Sequence, residues 1–245
     1  MMITFIAGVL GTGLGGILGA AFCRDSVRIT GLLVSFAAGI MLSVVCFNMI
    51  EEAIIPENAG GQMSILLVDS GIAAGFLMVW GLNDWIESVS PQNQNVNSGL
   101  LTAGIVMILA IAIHNMPEGM VIGASCAADS MGKAGLLLAV VIGIHNVPEG
   151  MAVAVALAGG GMNRLKAVFL TALSGFPTVI GAAIGWKLGT MGPVMLCLML
   201  SFAAGAMLYV VMGELIPEAL EMWHSKMIAA GILLGMLTGL VIIFA

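Results

Sequence analysis

Charge is what this sequence has least of. Only 8% of its 245 residues are Asp, Glu, Lys or Arg, where a soluble domain carries about 25%. With 60% hydrophobic residues and a mean hydropathy of +1.15, the composition excludes an ordinary soluble domain and specifies a polytopic membrane protein. Seven Lys and Arg are scattered along the chain, so no basic patch exists to hold a nucleic acid. The cysteines Cys23, Cys46, Cys126 and Cys197 form no CxxC pair, so they read as packing residues rather than a disulfide framework. Tyrosine occurs once, at Tyr209, and tryptophan four times, which leaves little material for an aromatic cage. The metalloprotease motif HExxH is absent, which argues against an intramembrane metalloenzyme. The net charge of −6 says little about partners, because most of the acids lie in or beside apolar runs.

What is abundant is long apolar segments. Eight are bounded by polar or turn residues, at roughly 2–23, 29–54, 64–86, 99–125, 133–158, 165–187, 193–217 and 226–245. Each approaches the ~20 residues a helix needs to cross hydrocarbon. They are continuously apolar rather than alternating, which selects helices over a barrel. The expected fold is an all-α membrane protein, one transmembrane domain over residues 1–245, with a polar connector at 87–99 between three spans and five. The first run has no basic residue before it and reads as a span, not a cleavable signal. Its "GTGLGG" matches a dinucleotide fingerprint only in letters, since no strand precedes it. Gly11, Gly15 and Gly19 instead make GxxxGxxxG, a stripe that admits a close neighbour.

With the N-terminus outside, the cytoplasmic loops hold Arg24, Arg28, Arg164, Lys166 and Lys226, against Lys133 and Lys187 outside. The positive-inside rule then places both termini outside the cytoplasm and the 87–99 connector within it.

The chain also repeats. "SFAAGIML" begins at Ser35 and "SFAAGAML" at Ser201, 166 residues apart, and in that register Asn48 aligns with Glu214 and Glu52 with Glu218. The second span therefore matches the seventh. Spans 1–3 and 6–8 begin on opposite sides of the membrane, so the repeat is inverted, an arrangement that places binding sites at the repeat interface.

Two of the three histidines lie in near-identical hexapeptides, "HNMPEG" (His114–Gly119) and "HNVPEG" (His145–Gly150), near the middle of the fourth and fifth spans. His and Glu four residues apart share a helix face, and Asn115 and Asn146 flank it. Pro117 and Pro148 deprive the carbonyls of Ile113 and Ile144 of helical donors, which hydrocarbon tolerates only beside a polar cavity. A short loop joins the two spans, so they run antiparallel and the motifs can meet. Two buried carboxylates there call for a cation, and imidazole, carboxylate and amide oxygen suit Zn²⁺, Fe²⁺, Mn²⁺, Co²⁺ or Cd²⁺ better than Cu⁺. A carrier of a small organic solute that uses the His–Glu pairs as a proton relay is the alternative.

These residues resemble the ZIP (Zrt/Irt-like) family of divalent metal transporters, in its bacterial branches. The resemblance covers the eight spans, both HNxPEG motifs, "GELIPEA" (Gly213–Ala219) in the seventh span, and Ser174–Gly175 with "GAAIG" (Gly181–Gly185) in the sixth. It implies a two-metal site at the membrane midplane whose ligands are His114, Asn115, Glu118, His145, Asn146 and Glu149, with Met41 approaching from the second span. Three features depart from the family pattern. Thr178 stands where many members have a glutamate, so the second metal position has lost a carboxylate. Glu51 stands where a proline is usual. The 87–99 connector has no histidine, Glu87 and Gln92 being its nearest polar candidates.

The expectation is therefore a transporter in the cytoplasmic (inner) membrane, not an enzyme, that moves zinc or a related divalent ion inward. Asn48, Glu52, Glu214 and Glu218 are candidate stations along its pathway. Its partners are the metal ion and membrane lipid, with no resident cofactor, and a homodimer is an open assembly. His224 is expected at the membrane interface.

Overall fold

The computed structural model describes residues 2–21, 27–56, 61–89, 96–128 and 133–244. Cys23, Arg24 and Gln92 lie outside the described residues, as do the side chains of Glu87 and His114. No strand occurs among the described residues. Eight helices are long and apolar enough to cross a membrane: α1 (Met2–Ala21), α2 (Arg28–Ile54), α3 (Ile65–Trp85), α4 (Met107–Ala127), α5 (Gly135–Gly159), α6 (Arg164–Gly189), α7 (Pro193–Met222) and α8 (Met227–Phe244).

Three boundaries differ from the sequence expectation. The helix of α3 continues to Val89 and that of α4 already starts at Val96, so much of the expected 87–99 connector is helical. Apolar length marks where a helix leaves hydrocarbon, not where its backbone ladder stops. The sixth span is two helices, Arg164–Ser174 and Pro177–Gly189, broken at Gly175–Phe176. The missing N–H of Pro177 suits the first turn of the second piece. The seventh span runs on to Met222 through a wide π-turn at Val210–Leu215.

Four helix pairs share the longest contacts: α4 with α6, α1 with α5, α2 with α8, and α7 with α3. These pairings are the repeat made visible. A Cβ added to Gly75 of α3 would collide with the carbonyl of Phe202 on α7, and one on Gly235 of α8 with that of Phe36 on α2. Phe36 and Phe202 are 166 residues apart. In the other half, a Cβ on Gly150 would stand 2.9 Å from the carbonyl carbon of Thr12, and one on Gly119 2.7 Å from that of Thr178. Thr12 and Thr178 are again 166 residues apart. The symmetry thus extends from α2/α7 to α1/α6, and the two HNxPEG helices are its other pair. Five crossings separate α1 from α6, so the mates run in opposite directions. Only glycine allows backbones this close, which is how helices gain packing contacts in lipid without a hydrophobic driving force.

The symmetry reaches the irregular turns too. A π-turn at Val45–Met49 of α2 answers the one at Val210–Leu215 of α7, and a π-turn at Ile6–Leu10 of α1 answers the break in α6. Such turns release backbone carbonyls from the regular ladder and recur at functional sites. α2, α5 and α7 are central: 67%, 67% and 72% of their most apolar windows are buried, against 22% for α3 and α8 at the periphery.

Candidate metal centre

Both HNxPEG helices continue through their prolines, α4 within Val96–Ala128 and α5 within Lys133–Gly159. That continuity keeps the i, i+4 spacing and turns both motifs toward one point. His145 Nε2 lies 2.9 Å from Glu118 Oε1, across the helix pair, with both side chains fully buried. Glu118, His145 and Glu149 each bring a ligand atom within 4.8 Å of the others. Two carboxylates and an imidazole this close, and this far from water, form a group that could hold a metal ion. Every Lys and Arg of the chain sits at or beyond the end of a span.

The asparagines reach sideways. Asn115 Nδ2 donates to the carbonyl of Ser174 on α6 at 2.9 Å, and Asn146 Nδ2 donates to the carbonyl of Ala7 on α1 at 3.0 Å. These carbonyls are available because α6 ends its first helix at Ser174 and α1 widens at Ile6–Leu10. The amide oxygens of Asn115 and Asn146, Glu118 Oε2 and the hydroxyl of Thr178 are buried and make no hydrogen bond within the protein. A buried acceptor left in that state costs about 1–3 kcal/mol, so these three uncharged oxygens and the second oxygen of Glu118 are candidate ligand atoms.

Thr178 is fully buried on α6. Its main chain packs on Gly119, the residue after Glu118, and its hydroxyl stands 2.5 Å from where a Cβ on Gly8 would lie. Met41 is buried in the apolar core of α2. Asn48 lies in the π-turn of α2 and Glu214 in that of α7. Glu52 and Glu218 are half-buried one turn further on. His224 is exposed beyond the C-terminal end of α7, its Nδ1 3.1 Å from the carbonyl of Leu220. Cys46, Cys126 and Cys197 are free thiols.

Sequence reasoning missed Ala7, Gly8, Thr12 and Gly175, which build the far wall of the site. One signal was there to read: Thr12-x-x-Gly15-x-x-x-Gly19 recurs as Thr178-x-x-Gly181-x-x-x-Gly185.

A family profile described as "ZIP Zinc transporter" matches residues 88–245. The chain belongs to the ZIP zinc transporter family. A "Zinc transporter ZupT" of Chlorobium luteolum is 33% identical over 96% of this chain and 93% of its own length. Proteins of the same description from Escherichia coli and Salmonella newport are each 30% identical over 96% of this chain and 92% of theirs. Family membership and eight membrane-crossing helices make this chain a multi-pass membrane transporter of divalent metal ions.

Proposed function

We propose that this ZIP family member carries zinc across the cytoplasmic membrane into the cytoplasm, through a midplane site made by the two HNxPEG helices. The observation that carries this reading is the buried cluster of Glu118, His145 and Glu149, with ligand atoms within 4.8 Å of one another. His114, Asn115 and Asn146 complete the ligand set from the same two motifs, with Met41 and Thr178 bordering it. One Zn²⁺ neutralises Glu118 and Glu149, which removes the charge penalty of two carboxylates in hydrocarbon. Imidazole and carboxylate together suit zinc, and the relatives' names support it over Fe²⁺, Mn²⁺, Co²⁺ and Cd²⁺. The spacing favours an ion over an organic solute, since three ligand atoms within 4.8 Å leave no room for a larger body.

Asn48 and Glu52 on the outer side, and Glu214 and Glu218 on the inner side, are repeat mates and serve as intake and release stations. This assignment of sides rests on the orientation that the basic residues of the loops favour, with both termini outside.

Purified protein in liposomes should take up zinc, with Cd²⁺, Co²⁺, Fe²⁺ and Mn²⁺ as competitors, and bound metal should be measured on the same preparation. Zinc uptake that other divalent ions depress is the expected result. Uptake no faster than in empty liposomes, with no metal bound, rejects the reading.

The stoichiometry should follow Thr178. A second divalent ion beside the first would leave two uncompensated positive charges, so titration in detergent should find one tight zinc per chain. Thr178→Glu should add a second tight ion. Two equally tight sites in the unaltered protein would overturn the assignment.

A further inference from the structure

The repeat holds along most of the α2/α8 and α7/α3 contacts, and it breaks at one level. Gly71 and Gly75 of α3 meet Ser201 and Phe202 of α7 as Gly231 and Gly235 of α8 meet Ser35 and Phe36 of α2, so α3 and α8 are offset by 160 residues. Further along, the mates part. A Cβ on Gly239 of α8 would stand 2.6 Å from the Cβ of Ser43 on α2, and Ser43 Oγ donates to the carbonyl of Met236 at 2.7 Å. The mates of Ser43 and Gly239 are Tyr209 and Val79. Two small residues on one side have become two large ones on the other.

Tyr209 is buried, and α3 grips it at both ends. Asn83 Nδ2 donates to its hydroxyl at 3.1 Å, and the Phe76 ring meets its ring edge to face, with centroids 5.3 Å apart and planes at 82°. A buried tyrosine offers an apolar body and a polar tip, and here one helix satisfies both. A side-chain hydrogen bond between helices is how a span accommodates an asparagine.

On α7 the same ring covers main chain. A Cβ on Gly213 would stand 3.1 to 3.4 Å from three of its carbons. Gly213 lies in the π-turn Val210–Leu215, which leaves the regular helical ladder, and Glu214 is the next residue. The mate of Gly213 is Phe47. The pair Ser43 and Phe47 in α2 has therefore become Tyr209 and Gly213 in α7, with the aromatic ring moved to the other member.

We propose that Tyr209 is a positioning residue for Glu214: anchored to α3 through Asn83, its ring fixes the π-turn that presents this carboxylate to the departing ion. This rests on the reading of Glu214 as a release station. The cluster of Glu118, His145 and Glu149 belongs to α4 and α5, so a loosened turn on α7 slows the ion's departure and leaves its capture intact.

The test is zinc uptake into proteoliposomes over a range of zinc concentrations, with bound zinc measured on the same preparations. Tyr209→Phe removes only the hydroxyl. It should lower the maximal rate several-fold and leave the half-saturating zinc concentration and the bound zinc unchanged. Asn83→Ala should do the same, and the double variant should be no slower than either single one, because both break one hydrogen bond. Glu214→Gln should itself slow uptake, and adding Tyr209→Phe should slow it no further. Multiplied losses, or a full rate in Tyr209→Phe, overturn the inference. A second measurement needs no transport. With Cys23, Cys46, Cys126 and Cys197 each replaced by alanine, a Glu214→Cys chain should react with a maleimide several-fold faster once Tyr209→Phe is added. Equal labelling rates also overturn the inference. If the unaltered protein takes up no zinc, the transport reading fails, and the labelling rates still decide whether Tyr209 sets the place of residue 214.

Discussion

Glu118→Ala should abolish zinc uptake while the protein still inserts and purifies. Glu118 does three things at once. Its Oε1 lies 2.9 Å from His145 Nε2, its other oxygen has no protein partner, and it is one of the two carboxylates of the proposed metal site. Removing it leaves His145 without this partner and the site with one carboxylate. Loss of a partner that merely orients a ligand costs ~10–100-fold in metal affinity, so loss of a ligand should cost about 100-fold or more. Glu149→Ala should behave alike, because Glu149 is the second carboxylate of the same buried cluster. The measurement is initial uptake into liposomes at matched protein density, with zinc content by mass spectrometry. Near-normal uptake by both variants would sink the site. Glu118→Gln separates charge from shape, and it should transport as poorly as alanine if charge neutralisation is the main role.

The next largest effect is expected at Gly205 of α7. A Cβ there would stand 2.7 Å from the carbonyl carbon of Ile72 and 2.8 Å from its Cα on α3, and would collide with the carbonyl oxygen. All three atoms are backbone, so no rotamer change relieves the contact and the two helices must separate. Overpacking typically costs 1–3 kcal/mol, and a clash between main chains belongs at the upper end, about 3 kcal/mol. Gly205→Ala should lower the thermal stability of the detergent-purified protein by that amount and reduce its yield. Gly81, on the same α3, has nothing within 4 Å of an added Cβ. Gly81→Ala should stay within about 0.5 kcal/mol or gain up to ~1 kcal/mol from helix propensity. If the two substitutions proved equally mild, the close approach of α3 and α7 would be refuted. The repeat extends the prediction to Gly39 of α2, because a Cβ there would meet the backbone of Ile232, Gly235 and Met236 on α8.

The sequence alone decided the membrane class, the eight helices and the pairing of the two HNxPEG motifs. Apolar length and i, i+4 spacing are local properties, and a short loop forces adjacent spans to run antiparallel. It also revealed the repeat of α2 and α7, because SFAAG survives in both copies nearly letter for letter. The matching repeat of α1 and α6 was hidden. Those helices share only Thr-x-x-Gly-x-x-x-Gly, and the glycines of α1 first presented themselves as a stripe for an unnamed neighbour. Which neighbour they meet depends on where two backbones approach, and that is a property of two distant segments at once. Tertiary structure alone showed that α5 fills the α1 stripe at Val147, Gly150 and Met151, and that α4 fills its mate on α6 at Met116 and Met120. It alone showed the break at Gly175–Phe176 and the π-turn at Ile6–Leu10, since neither a Gly-Phe-Pro sequence nor an Ile-Ala-Gly-Val-Leu run dictates how a buried ladder reroutes its carbonyls. Those two irregularities supply the carbonyls that hold Asn115 and Asn146. The hexapeptides carry the proposed ligands, and the crossing of α1 and α6 fixes the direction in which the two amides point, because a backbone carbonyl can only receive the nitrogen side.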